Sequence, residues 1–466
     1  MKREIFFAAL AVACLASIVS GCGRSSSPIP ATSVDSKLSA TPKAKCGPGS
    51  RPEPGLQGRL SQADIDSGLA LKGITCNTEI VGSFGPDKHL ASVGGWKVTR
   101  YVDAQGHECA YYDASNIFPL GILDGAIGVN VMDMSDPTHP TLVTRLLTPA
   151  MLSPHESLVL NEKRGLLVAV LSNPAFGPGV VDIYDVSRDC RHPVFKSTSL
   201  TGSFGHESGI SPDGRTFFSG TPFTPTLTAV DISNPSFPIS LTIDPITSHG
   251  VSVSADGNRA YVADTSGLIK ILDISQIQAR TASPKMTEIS EVTWPNGSIP
   301  QVAIPITIKG KPFLVEVDEF GGLSQVGAAR IIDISDETKP KVISNLRLEV
   351  HQPENFETVA DDPGASSTGY GSYAAHYCNV PTRVDPTIVA CSMIMSGLRI
   401  FDIRDPYHPR EVAYFNAPVQ NAVLATGPPS NGAFSSPAFA AERKEIWYTD
   451  SSSGFYAVHV TNGAWP

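Results

Sequence analysis

An internal repeat narrows the folds open to this 466-residue chain more than any other property. An apolar, alternating strand ends in Asp, an apolar residue and usually Ser; Asp-Pro-x-x-Pro often follows, and then another apolar strand. The fullest copy is Val129-Asn130-Val131-Met132-Asp133-Met134-Ser135-Asp136-Pro137-Thr138-His139-Pro140, with related copies at 181–187, 228–235, 269–275, 330–340 and 399–409 and a degenerate seventh at 455–460. From Asp133 through Asp185, Asp231, Asp273, Asp333 and Asp402 to His459 the intervals are 52, 46, 42, 60, 69 and 57 residues. That spacing suits one four-stranded blade per copy, with loops absorbing the variation. Length alone would divide the chain into two or three domains. The repeat predicts instead one all-β unit, a seven-bladed β-propeller spanning 46–466. Forty Gly and 38 Pro supply the turns such a fold needs and oppose a helical bundle.

The strand order within a blade follows from the turns. The segment after Asp-Pro-x-x-Pro is the outermost strand of a blade, and the chain then crosses to the innermost strand of the next. Inner hairpins are marked by Ser211-Pro212-Asp213-Gly214-Arg215, Ser254-Ala255-Asp256-Gly257-Asn258 and Lys309-Gly310-Lys311-Pro312. The sequence stops soon after the seventh third-position strand, so the last blade needs an outer strand from elsewhere. Residues 77–84 are expected to supply it and close the ring. The repeat Asp reads as turn chemistry, its carboxylate accepting backbone N–H bonds just past the strand. His139, His192 and His408, each directly before a turn Pro, are expected to be exposed.

These copies resemble the LVIVD repeat, which is associated with β-propellers of bacterial and archaeal surface proteins. The resemblance covers roughly residues 84–460, and six of the seven copies keep the Asp. It implies the fold and is nearly silent on activity, because propellers host binding, scaffolding and catalysis alike.

The N-terminus carries an export signal: Lys2 and Arg3, an apolar run over 5–19, then Val19-Ser20-Gly21-Cys22. This resembles the lipobox of bacterial lipoproteins, which implies removal of 1–21 and lipidation of Cys22 with diacylglycerol and palmitate. An ordinary secretory signal beside an incidental Cys22 is the alternative. Gly23, rather than Asp, is similar to lipoproteins sorted onward to an outer membrane where there is one. Residues 22–45, rich in Ser, Pro, Ala and Lys, read as a flexible tether. The expected location is the cell envelope, extracytoplasmic and membrane-anchored through lipid, on the periplasmic side or beyond. A net charge of -10 argues against nucleic acid as a partner. Beyond Cys14 and Cys22, six cysteines in an oxidising compartment allow three disulfides, of which Cys378 with Cys391 is predicted from two consecutive antiparallel strands.

A second set of histidines carries the functional question. His155, His206, His249 and His376 each begin an innermost strand, so four blades place an imidazole at one position near the propeller axis. Three roles fit: hydrogen bonds between blades, as in tryptophan-aspartate propellers; ligation of a transition metal such as copper; and metal-free acid–base chemistry. Asn173, Asp264, Asp318, Glu319 and Asp450 fall on the same face, and His351 is a fifth candidate imidazole. Glu156 and Glu207 follow two of the histidines and, by strand alternation, are expected to point away from them. Copper-containing methanethiol oxidases and nitrous oxide reductases are similar in architecture and histidine placement, without shared motifs. Insertions at 354–373 and 418–437 read as lids, partner-binding loops or tolerated surface loops. His89 and His107 are expected on the surface. No Gly-x-Ser-x-Gly, phosphate-loop or His-Glu-x-x-His motif occurs. The sequence thus predicts a propeller that binds a protein partner or small ligand at a histidine-lined mouth, with a metal-dependent oxidase-like enzyme and a passive scaffold as alternatives.

Overall fold

The computed structural model describes residues 39–85, 95–114, 127–172, 179–203, 205–295, 297–320, 326–365, 372–420 and 431–466. Cys22, the signal segment, His89 and Asn173 lie outside them. Seven antiparallel sheets follow in sequence, and the chain within each runs from the innermost strand outward, apart from the N-terminal strands that form the outer edges of blades six and seven. The innermost strands of blades one to seven are Thr99–Val102, Val159–Asn161, Ser208–Ile210, Gly250–Val253, Ile299–Ile308, Tyr377–Asn379 and Ala438–Ala440. Among the described residues no helix is long and apolar enough to cross a membrane.

The repeat Asp works as expected. Asp133, Asp185, Asp231, Asp273 and Asp333 each accept the N–H of the Ser two residues on, and Asp402 accepts that of Arg404. A carboxylate in this position ends the third strand by satisfying a donor the ladder no longer reaches. The fourth strand shifts register against the third in all seven blades, for example between Val131 and Met132 and between Ile331 and Ile332. A bulge at this point increases the local twist of the outer strand. Apolar side chains fill the spaces between blades: Val168, Val170 and Ile183 of blade two meet Phe217, Val230 and Ile232 of blade three.

Ring closure uses the N-terminal strand. Thr78–Phe84 pairs with Gly454–Val460, Thr78 opposite Val460 and Phe84 opposite Phe455. A second N-terminal strand, Ile74–Cys76, adds a fifth strand to blade six against Arg410–Asn416. Residues 41–44, expected in the tether, instead bond to blades five and six: Thr41 N–H donates to Arg347 O, and Ala44 N–H to the Glu411 carboxylate. Disulfides join Cys46 to Cys76, Cys109 to Cys190 and Cys378 to Cys391, the last between residues directly opposite in the inner hairpin of blade six. The described part of the first insertion packs against the N-terminal segment, through Arg59 with Asp362 and Tyr373 with Leu60 O.

Candidate metal centre

Three of the four histidines are set by the same backbone bond. The N–H groups of His206, His249 and His376 donate to Gly220 O, Ala263 O and Ser392 O, pinning each residue at the entrance of its innermost strand. Blade two departs from this pattern. His155 has a φ of 50° and opens a short turn, His155–Ser157, with its N–H held by the Asp113 carboxylate. Strand alternation therefore does not apply to Glu156, and the turn carries its side chain inward among the imidazoles. This corrects the expectation that Glu156 points away.

Glu156 is 2 % exposed at its side chain and stands at the centre of the cluster. Its Oε2 lies 3.0 Å from His206 Nε2 and 3.8 Å from His249 Nε2, while Oε1 lies 3.1 Å from His376 Nε2 and 3.9 Å from His155 Nε2. Glu319, from the end of the second strand of blade five, closes the other side: Oε1 is 3.3 Å from His249 Nε2 and Oε2 is 3.1 Å from His376 Nε2. All four candidate histidines thus meet around two carboxylates.

The ring orientations are fixed from behind. His249 Nδ1 lies 2.7 Å from Pro300 O and His376 Nδ1 lies 2.6 Å from Phe434 O. A carbonyl only accepts, so each Nδ1 carries the proton and each Nε2 of a neutral ring presents a lone pair. That lone pair faces carboxylate oxygens, which also only accept. His376 Nε2 is buried without a hydrogen-bond partner, and so, at the other ring nitrogen, is His206 Nδ1.

The protonation tendencies of the rings diverge. Burial opposes a charge on His376, but Glu156 and Glu319 outweigh it and push its pKa up to about 10. Burial likewise opposes a charge on His206, where Glu156 prevails and raises it. For His155 burial wins and pulls the value down to about 3, and His249 is lowered for the same reason. Burial also works against the Glu156 carboxylate, yet the surrounding imidazoles hold it well below the usual range.

A polar layer supports the cluster on its inner side. The innermost strand of blade five shifts register between Pro300 and Val302, and the extra residue, Gln301, sends its amide to Glu156 at 2.7 Å, with Tyr377 Oη 2.8 Å from the same nitrogen. Glu207, buried and aimed into this layer, pairs with Lys97 at 2.6 Å. Burial pushes its pKa up to about 7 against the pull of Lys97. Beyond the layer the axial channel widens to a cavity of about 580 Å³ with largely aliphatic walls, among them Leu158, Ile210, Val251 and Ile304. Trp96, just before the first strand of blade one, packs its ring 4.2 Å from that of His155, and Phe434 and Phe320 flank His376.

Other candidates fall elsewhere. Asp318 pairs with Arg330 and accepts from Trp294, Asp264 caps the turn at Ser266, and Asp450 accepts the N–H groups of Gly432, Ser452 and Ser453. His351 stays outside the cluster because both its nitrogens meet backbone, Leu348 N–H and Tyr373 O. His107 is half-buried rather than on the surface, with Nδ1 2.9 Å from Asp103. His139, His192 and His408 are exposed, each with Nδ1 near the Asp three residues before it.

Sequence reasoning missed Trp96, Lys97, Gln301 and Phe434. The signal was positional: each sits at or beside the start of an innermost strand, where other blades carry His.

The architecture and site define a seven-bladed β-propeller with a buried histidine–carboxylate cluster at one end of its axial channel. The family model of the LVIVD repeat matches residues 122–148, 223–242 and 249–283, which fall in blades one, three and four. The chain carries LVIVD repeats, as its strand pattern implies. No curated protein is matched by the chain.

Proposed function

We propose that this propeller is an extracytoplasmic metalloprotein of the cell envelope that holds a first-row transition metal at His155, His206, His249, His376, Glu156 and Glu319, and that the bound metal carries its activity. One observation carries the reading: imidazole lone pairs, fixed by Nδ1–H bonds to Pro300 O and Phe434 O, converge on carboxylate oxygens 3.1–3.3 Å away. Two acceptors at that distance repel, and protonating His376 leaves the same conflict at His249. A cation among them turns repulsion into ligation, and backbone carbonyls behind the rings are the usual way proteins orient metal-binding histidines. Mixed imidazole and carboxylate donors suit Mn, Fe, Co, Ni, Cu or Zn rather than Ca or Mg. Strands and disulfides close the ring independently of the cluster, which favours a functional over a structural ion.

The test is metal content. Protein purified from its native envelope should contain stoichiometric metal, and a variant with all four histidines replaced by Ala should fold yet lose it. Content equal to a buffer blank in the wild type would sink the proposal.

The cavity of about 580 Å³ behind the cluster favours a second reading, binding of a small ligand without metal, since its size lies in the range of ligand pockets. That reading predicts ligand binding insensitive to the four-histidine change.

Three disulfides support an oxidising compartment. With the lipobox-like Cys22 they support a lipid-anchored protein. Cys22→Ser should move it from the membrane fraction to the soluble extracytoplasmic fraction; unchanged membrane retention would refute the anchor.

A further inference from the structure

The geometry points to a dinuclear centre, two metal ions bridged by the Glu156 carboxylate, and this inference rests on the metal reading above. The donors divide into two triads that share only Glu156: His155, Glu156 and His206, and Glu156, Glu319 and His376, each with ligand atoms within 4.8 Å of one another. The division runs through the carboxylate itself. Oε2 approaches His206 at 3.0 Å and Oε1 approaches His376 at 3.1 Å, so the short contacts use different oxygens, while the longer ones cross over, Oε1 to His155 at 3.9 Å and Oε2 to His249 at 3.8 Å. His249, 3.3 Å from Glu319 Oε1, completes the second set with His376.

Each set then offers two imidazoles and the bridge, and the second adds Glu319. That leaves room at each ion for a water or substrate within the four to six ligands such metals take. The Nε2 of His376, on a side chain 0 % exposed, faces Glu156 Oε1 and Glu319 Oε2 at 3.1 Å each without a hydrogen bond to either, which marks the second set. A bridging carboxylate holds paired ions about 3.5–4 Å apart, the separation at which two metals can act on one substrate atom. Gln301 Nε2, 2.7 Å from Glu156 Oε2, fixes the plane of the bridge.

The experiment counts ions in the full-length protein. After removal of bound metal, titration with Zn(II) and dialysis, elemental analysis should give two equivalents per chain. His155→Ala and His376→Ala should each give one, and Glu156→Gln one or fewer, with circular dichroism reporting that each variant is folded. Loaded with Cu(II), the wild type should show the half-field electron paramagnetic resonance line of a close spin pair, and Glu156→Gln should lose it. One equivalent in the wild type without a half-field line overturns the dinuclear centre and leaves a mononuclear site standing. No bound metal overturns both. Because the wild-type count decides, a variant that fails to fold does not protect the inference.

Discussion

Glu53, Arg399 and Glu411 illustrate what a single buried charge does in this ring. Arg399 has no exposed side-chain surface, bonds Glu53 at 2.8 Å and Glu411 at 3.0 Å, and lies over the Tyr414 ring, tying the N-terminal segment to blade six. Burial already raises the Glu411 pKa, and Arg399 opposes that rise. Arg399→Met should therefore destabilise the protein by about 3–5 kcal/mol at neutral pH, the usual cost of leaving a buried ion without its partner. The sign of the pH dependence follows from a carboxyl whose folded pKa lies above its unfolded value. It holds a proton that the unfolded chain has released, so stability falls as pH rises past the unfolded pKa. The variant's deficit should be small near pH 5 and grow toward pH 8, as chemical denaturation at the two pH values would reveal; an equal deficit at both would refute this account. Residue identity was legible where chemistry is local. The repeat Asp before its turn was read correctly because Asx turns depend on two residues of context. Glu156 was not, because its direction depends on a positive φ at His155 imposed by Asp113 in the neighbouring blade.

Among the elements, the strand Thr78–Phe84 has the largest structural consequence, since it is the outer strand of blade seven and joins both chain ends in one sheet. The sequence revealed it through a deficit, a last repeat without an outer strand. The strand Ile74–Cys76 left no such sign, because blade six already had four strands and only the pairing with Arg410–Asn416 shows a fifth. Gly82 shows how tightly the closing strand is set: a Cβ there would collide with the Pro137 carbonyl oxygen in the turn of blade one. Gly82→Val should push the closing strand away from blade one and cost about 1–3 kcal/mol, as overpacked sites do. Ile80→Thr, on the same strand at a position 46 % exposed, should change stability by less than about 0.5 kcal/mol. Thermal denaturation of the two variants would compare them, and equal effects would show that the contact with Pro137 does not constrain closure.

For the whole molecule, the repeat predicted a symmetric object while the site is asymmetric. Blades three, four and six contribute histidines at one position and blade two brings His155 from a turn; blades five, seven and one bring Gln301, Phe434 and Trp96 to the same end of the axis. Spacing could count seven blades, because each copy is a self-contained strand-turn-strand unit. It could not show which side chains meet across the axis, since that requires closure of the ring. Closure also separates folding from metal binding. Interblade packing, the strand Thr78–Phe84 and three disulfides hold the propeller, so removing the cluster's ligands should leave it folded. An ion that binds only the folded state nevertheless adds stability by mass action, about 2.7 kcal/mol at a hundredfold excess over Kd. In a chain this long that increment should raise the midpoint of thermal unfolding by about three degrees, because a given energy shifts larger proteins less. Zn(II) should produce the rise in the wild type, a chelator should reverse it, and the four-histidine Ala variant should melt at one temperature with or without Zn(II). A variant that unfolds at room temperature would instead assign the histidines to holding the blades together, and a variant that still responds to Zn(II) would locate the ion elsewhere.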